Sequence, residues 1–137
     1  MIKMTIYALS TGSGVSGVAI IRVSGPETAK IIKSLTQKEI PTPRMASLRK
    51  INNINTSELI DEGIIIWFPG PESYTGEDMA EIHIHGSKAV VIAVQNEISK
   101  LENCRLAEPG EFTKLAFQHG KINLLKAESI ADLISAE

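Results

Sequence analysis

The segment 67–86 limits the fold of this chain more than any other stretch. An apolar run at 64–68 leads into it and is typical of a strand buried on both faces, the end of a longer strand predicted at 59–68. Pro69-Gly70-Pro71 must end that strand, because proline cannot donate a hydrogen bond to a neighbouring strand. After a polar loop, residues 79–85 alternate between apolar and polar side chains, which predicts a second strand.

This alternation places all of the chemically active side chains of the second strand on one face. The apolar face carries Ala80, Ile82 and Ile84, and the opposite face carries Glu81, His83 and His85. Carboxylates and imidazoles are rarely buried without partners. We therefore interpret this strand and the loop before it as the floor of a functional site.

The composition is that of one globular domain in a reducing compartment. Of 137 residues 43% are apolar, which is enough for a core, and the net charge of −2 gives no indication of a nucleic-acid surface. The single cysteine, Cys104, excludes an intrachain disulfide. No apolar run reaches the ~20 residues that span a bilayer, and the strand-like start leaves no room for a signal peptide, so we expect a cytoplasmic protein.

The remaining pattern predicts an α+β fold with a mixed or antiparallel sheet and flanking helices. Further strands are predicted at 5–9, 18–23, 46–51 and 105–107, and 46–51 should pair with 59–68 as a hairpin. A helix is predicted after Ser24-Gly25-Pro26-Glu27, with Ser24 as its small capping residue and an apolar stripe at Ile31, Ile32 and Leu35. Further helices are predicted from Ser87, which should cap its helix, to about residue 101, at 111–120 and at 124–137. The last helix is apolar over more than one stripe, so we expect a helical domain to begin at 121–137, after a first domain at 1–120.

Several motifs leave alternatives open at this point. Gly12-Ser13-Gly14-Val15-Ser16-Gly17 has the dinucleotide-binding spelling, but a strand follows it where that site needs a helix, so a flexible turn or a close-approach loop is favoured. Glu81, His83 and His85 could ligate a metal in a hydrolase or oxygenase. Arg22 and Lys121 are either solvated cations or donors for a carboxylate or oxo group.

Four sequence blocks, in the same order, resemble the N-terminal domain of the MnmE (TrmE) family of tRNA-modifying GTPases. The blocks are Ile20-Ile21-Arg22-Val23-Ser24-Gly25-Pro26, the run from Trp67-Phe68-Pro69-Gly70-Pro71 through Ser73-Tyr74-Thr75-Gly76-Glu77-Asp78, Pro109-Gly110-Glu111-Phe112-Thr113, and Ala127-Glu128-Ser129-Ile130-Ala131-Asp132-Leu133-Ile134. The chain departs from the family at 10–12, where the family often has Thr-Pro-Pro-Gly. It also departs at 82–86, where the family often has Gln-Gly-His-Gly.

The resemblance implies a fold similar to the folate-binding domain of the glycine-cleavage aminomethyltransferase. It implies a domain at 1–120 that binds 5-formyltetrahydrofolate or a related tetrahydrofolate and forms a homodimer, with folate contacts at Arg22, Glu81 and Lys121. It further implies a complex with the flavoprotein MnmG, a heterotetramer that modifies the wobble uridine of tRNAs. A dimerisation module without ligand stays open as an alternative, because the loop at 10–17 differs from the family.

The same resemblance implies a potassium-dependent GTPase domain that binds GTP and magnesium. No G-x-x-x-x-G-K-[ST] motif occurs in these 137 residues, and the family's C-terminal cysteine block does not occur either. We therefore expect this stretch alone to be inactive as a GTPase. In the implied folate site, Glu81 would accept from the amino group and ring N–H of the pterin, Arg22 and Lys121 would meet the formyl oxygen and the carboxylates, and Tyr74 and Phe112 could cover the ring.

Overall fold

The computed structural model describes residues 2–10 and 17–122. This part of the chain forms strands β1 (Thr5–Leu9), β2 (Val18–Ser24), β3 (Ser47–Asn52), β4 (Leu59–Phe68), β5 (Met79–His85) and β6 (Cys104–Leu106), and helices α1 (Thr28–Thr36), α2 (Lys88–Ser99) and α3 (Glu111–Gln118). The helix predicted at 124–137 and residues 11–16 of the glycine-rich loop lie outside the described residues. None of the described helices has the length and apolar character needed to cross a membrane.

The six strands form one mixed sheet in the order β3-β4-β5-β2-β1-β6. Neighbouring strands are antiparallel except β1 and β6, which are parallel. The predicted α+β class and the predicted β3–β4 hairpin are therefore confirmed. Three predicted strands, β1, β4 and β5, have the observed bounds, and the others differ by one or two residues.

Helices α1 and α2 cover one face of the sheet and bury the core. The predicted apolar stripe of α1 is confirmed, because Ile31, Ile32 and Leu35 are fully buried. The predicted apolar face of β5 is confirmed in the same way, since its isoleucines and Ala80 belong to this core. Strand β4 contributes Ile65 and Trp67 to it.

The opposite face of the sheet, here called the open face, carries side chains of β2 to β5 that point away from α1 and α2: Val18, Ile20, Arg22, Leu48, Ile64, Ile66, Glu81 and His83. Burial of β4 on both faces, predicted for 64–68, is wrong. Ile64, Ile66 and Phe68 are only half-buried because they lie on the open face.

The predicted capping role of Ser24 is also wrong. Ser24 is the last residue of β2, its side chain is fully buried, and Glu27 occupies the N-cap position of α1 without a side-chain hydrogen bond. The cap predicted for α2 is confirmed, because the Ser87 hydroxyl accepts a hydrogen bond from the backbone N–H of Val90.

A buried carboxylate joins the turn after β3 to the end of α2. Glu97, which is 5% exposed, accepts hydrogen bonds from the backbone N–H of Ile54 at 2.8 Å and from Lys100 Nζ at 2.9 and 2.8 Å. Burial alone would raise the pKa of Glu97, but the bonds from Lys100 and Ile54 outweigh it and lower the pKa below 4.5. Because the folded-state pKa is lowered, the stabilisation is present above pH 4.5 and is lost as the pH falls through the folded-state value.

We expect Glu97→Gln to lower the free energy of unfolding at pH 7 by about 1–3 kcal/mol, since it removes a charge-assisted bond in a buried place. The difference from the parent protein should shrink as the pH falls through the lowered pKa of Glu97, because the parent carboxylate then becomes protonated as well. Urea unfolding at several pH values measures this. Glu102→Gln, at an exposed glutamate nearby, is the control and should change stability by less than ~0.5 kcal/mol. Equal losses in both variants at pH 7 would contradict the prediction.

Candidate functional site

The loop between β4 and β5 is closed on itself and attached to the end of β2. Asp78 Oδ1 accepts from the backbone N–H of Gly70 at 2.9 Å, which brings the two ends of the loop together. The hydroxyl of Ser24 lies 2.8 Å from that of Thr75 and donates to Glu77 Oε1 at 2.7 Å. Ser24 and Thr75 are fully buried, so these bonds are shielded from water.

The same loop also contacts α3. The hydroxyl of Tyr74 lies 3.2 Å from the hydroxyl of Thr113, which is buried. The start of α3 is fixed by Arg105, whose guanidinium donates to both oxygens of Glu111, at 2.8 and 2.5 Å. These bonds from Arg105 lower the pKa of Glu111 although its burial acts in the opposite direction.

Arg22, on β2, contacts both this loop and α3. Its guanidinium carbon is 5.0 Å from the ring centre of Tyr74 and 5.5 Å from that of Phe112, distances at which a cation is attracted to an aromatic face. Its Nε atom is buried and has no hydrogen-bond partner. Within residues 2–10 and 17–122, the guanidinium makes no ion pair either, so a strong donor group is left unsatisfied here.

Glu81 is directly opposite Arg22 in the antiparallel pair of β5 and β2. Opposite charges at such positions usually attract each other across the strands, yet no ion pair forms between them. Glu81 Oε1 instead lies 2.9 Å from His83 Nε2, and the two side chains are 29% and 25% exposed. Among the described residues Oε2 of Glu81 has no partner, so two neighbouring opposite charges both keep unused hydrogen-bonding capacity.

His85 forms a separate pair with β4. Its Nδ1 atom lies 2.7 Å from Asp61 Oδ1, and its backbone N–H donates to Asp61 Oδ2 at 2.9 Å. Burial alone would raise the pKa of Asp61, but the two bonds from His85 lower it. The predicted common face of Glu81, His83 and His85 is confirmed by their alternation on β5. The part of the chain that the structure describes contains no group of three His, Cys, Asp or Glu residues placed to hold a metal ion, so the metal alternative gains no geometric support.

Lys121 follows α3 and its side chain reaches back to the loop. Its backbone N–H donates to the carbonyl of Ala116 at 2.8 Å, and the residue is exposed. Gly76 has φ +83°, and a Cβ atom placed on it would lie 3.3 Å from Lys121 Cε and 2.9 Å from His119 Cβ. Glycine at this position thus allows the loop and the lysine stem to approach closely. Arg22 and Lys121 therefore both contact this loop, and Glu81 lies beside Arg22.

Sequence reasoning missed the partners that hold these side chains. Tyr74 and Phe112, the candidates for covering the pterin ring, both pack on Arg22, a contact that was not predicted. The buried hydroxyls of Ser24, Thr75 and Thr113 were not predicted at all. A polar loop rich in Ser and Thr beside a strand end was the only available signal, and it is common in ordinary turns.

The family model described as "GTP-binding protein TrmE N-terminus" matches residues 5–121. The chain is 78% identical, over 98% of its length, to "tRNA modification GTPase MnmE" of Pelagibacter ubique (strain HTCC1062). It is 51% and 46% identical, over 97% of its length in each case, to proteins of Danio rerio and Homo sapiens named "5-taurinomethyluridine-[tRNA] synthase subunit GTPB3, mitochondrial".

These relatives are much longer than this chain. The chain spans 30% of the Pelagibacter protein, 26% of the Danio protein and 27% of the human protein. The similarity covers nearly all of this chain and less than a third of each relative.

Proposed function

Because the chain belongs to the TrmE N-terminal family, whose model covers residues 5–121, we propose that it binds 5-formyltetrahydrofolate or a related reduced folate. The proposed contacts are Arg22, Glu81 and Lys121. The observation that carries the proposal is the pair of opposite charges, Arg22 and Glu81, which are neighbours in register and do not neutralise each other.

A reduced folate fits the unused hydrogen-bonding capacity of this pair. Its pterin edge presents an amino group and a ring N–H side by side, and an ionised carboxylate such as Glu81 accepts from both. Its formyl oxygen and glutamate carboxylates are acceptors for a guanidinium such as that of Arg22. Hydrogen bonds to charged groups contribute about 1.5–3 kcal/mol each, so two such contacts are sufficient to set the orientation of the ligand.

The aromatic contacts of Arg22 support this arrangement. Tyr74 and Phe112 hold the guanidinium from the side, so its position does not depend on Glu81. The exposed ammonium of Lys121, near the same loop, would attract the carboxylates of the ligand tail. An anion bound there would be held mainly by charge, with little geometric selectivity.

The proposal extends to the whole protein. The chain is homologous to the N-terminal part of a tRNA modification GTPase. We propose that the complete protein, with GTP, magnesium and potassium bound in a separate domain, acts in the cytoplasm with the flavoprotein MnmG on the wobble uridine of tRNAs. The folate would supply a one-carbon unit, and the N-terminal domains at 1–120 would form the homodimer, with a helical domain beginning at 121–137.

The central test is titration calorimetry with 5-formyltetrahydrofolate. Glu81→Gln keeps the shape of the side chain but turns one acceptor into a donor that faces the donors of the pterin. We expect binding to weaken by ~2–4 kcal/mol, from a lost charge-assisted bond and an unmatched donor. Glu62→Gln, on the neighbouring strand β4, is the control. Binding by Glu81→Gln that is as tight as in the parent protein would rule out Glu81 as the pterin contact.

Arg22→Ala and Lys121→Ala should both weaken folate binding, and the losses should shrink as salt rises, because that part of the affinity is charge attraction. Arg22→Lys should recover little, since lysine keeps the charge but lacks the planar fork that packs between two rings. Calorimetry at low and high salt measures these effects, with the exposed Lys38 replaced by alanine as the control. Losses that do not depend on salt at either position would indicate damage to packing instead.

The proposed homodimer has a candidate surface on the open face. Leu48 and Val18, which are 64% and 51% exposed, line a cavity of about 260 Å³ together with Ile64. Val18 begins β2 directly after the loop at 10–17, and we expect the N-terminal strands and this loop to hold the homodimer. Exposed apolar side chains grouped in this way favour association.

We expect sedimentation of the parent protein to show a dimer at tens of micromolar, above the micromolar Kd that corresponds to about −8 kcal/mol. Leu48→Glu should shift it to monomer, because a carboxylate cannot be buried there without a partner. Leu59→Glu is the matched control, since Leu59 is 56% exposed but borders α2 on the other side of the sheet. A parent protein that is purely monomeric, or variants that dissociate equally, would count against this surface.

A further inference from the structure

His83 lies at the centre of the open face, next to the proposed pterin contact. In register it is paired with Ile20 of β2 and Ile64 of β4, so its nearest neighbours across the strands are apolar. Its Nε2 atom lies 2.9 Å from Glu81 Oε1. Within the described residues, this is the only hydrogen bond of either side chain.

We propose that His83 is a positioning residue, which fixes the direction of the Glu81 carboxylate for the paired donors of a 2-amino-4-oxo pterin edge. This inference rests on the proposed folate site. An ionised carboxylate can only accept, so Nε2 must carry the proton and donate to Oε1. In its neutral form the imidazole is thereby fixed as the Nε2–H tautomer, in which Nδ1 is an acceptor.

The need for such a residue follows from the behaviour of Arg22. A glutamate has several rotatable bonds and stays mobile unless a partner holds its carboxylate. Arg22 is in position to do this but is held by Tyr74 and Phe112 instead. His83 is the partner that remains. By binding one lone pair of Oε1 it leaves the second lone pair of Oε1, and Oε2, which has no other described partner, for the two donors of the ligand.

Two residues of β5 then have different roles: Glu81 contacts the ligand, and His83 orients Glu81. His83 does not touch the ligand; it limits the orientations in which Glu81 can meet two donors at once. A site whose contacts are fixed before binding loses less conformational freedom when the ligand enters. Removing His83 should therefore lower affinity for the pterin while the fold stays intact, because its side chain lies on the open face, outside the buried hydrophobic core.

The experiment is calorimetry with 5-formyltetrahydrofolate on four single variants. His83→Ala should raise Kd by about tenfold, the effect of one orienting hydrogen bond. His83→Gln should recover most of the loss, because its amide nitrogen can take the place of Nε2, whereas His83→Asn, with a shorter side chain, should not. His85→Ala is the matched control: it removes an imidazole from the same strand that binds Asp61 rather than Glu81, and its Kd should stay within about twofold of the parent value.

A second measurement does not depend on affinity. Nitrogen chemical shifts of labelled histidine should show His83 as the Nε2–H tautomer in the parent protein, and this signature should change in Glu81→Gln. A Kd for His83→Ala equal to that of the parent, equal recovery by Gln and Asn, or the opposite tautomer would each overturn the positioning role. Absence of folate binding in the parent protein would instead overturn the proposed function, and this inference with it.

Discussion

The register between β2 and β5 is the constraint on which the rest of the structure depends. A strand alternates its side chains between two faces, so a slip of one residue would exchange the faces completely. The observed register places Ile21 opposite Ile82 within the core and, one residue further, Arg22 opposite Glu81 on the open face. Burial of the isoleucines under α1 and α2 therefore determines the register. The register in turn determines that Arg22 and Glu81 become neighbours on the open face.

Those two neighbouring charges remain apart because each has another partner. Aromatic rings attract the guanidinium of Arg22 from one side, and an imidazole binds the carboxylate of Glu81 from the other. A direct ion pair would have used the hydrogen-bonding capacity that both groups now keep. The cost of leaving donors unsatisfied in a partly buried place is offset elsewhere, in the core and in the network around Ser24 and Thr75.

The sequence was sufficient to predict several features that depend on local periodicity. The bounds of β4 and β5, the faces of β5 and the buried stripe of α1 follow from the spacing of apolar residues. Contacts between distant segments could not be predicted in this way. Nothing near Arg22 in the chain indicates Tyr74 or Phe112, because these contacts arise only when β2, the loop and α3 are packed together.

Two errors have the same physical origin. Serine before Gly-Pro-Glu at a strand end has the local signature of a helix cap, but at Ser24 a loop far along the chain competes for the hydroxyl. The run at 64–68 is uniformly apolar. Such a run is expected for a strand buried on both faces, but it also occurs in a strand that is buried on one face and has apolar side chains on its open face. In both cases tertiary packing overrides a correct local preference.

The parallel pairing of β1 with β6 affects how the protein folds during its synthesis. Thr5 pairs with Cys104, so almost the whole described chain separates two strands that lie side by side. Contacts between such distant segments form late, because the intervening chain must first be ordered. While the protein is being synthesised, the edge of β1 stays unpaired until β6 has left the ribosome, and an unpaired edge is prone to association with other chains. The cluster of Arg22, Tyr74 and Phe112 includes a residue that follows β6 in the chain. It therefore cannot form in a nascent chain that ends before Phe112.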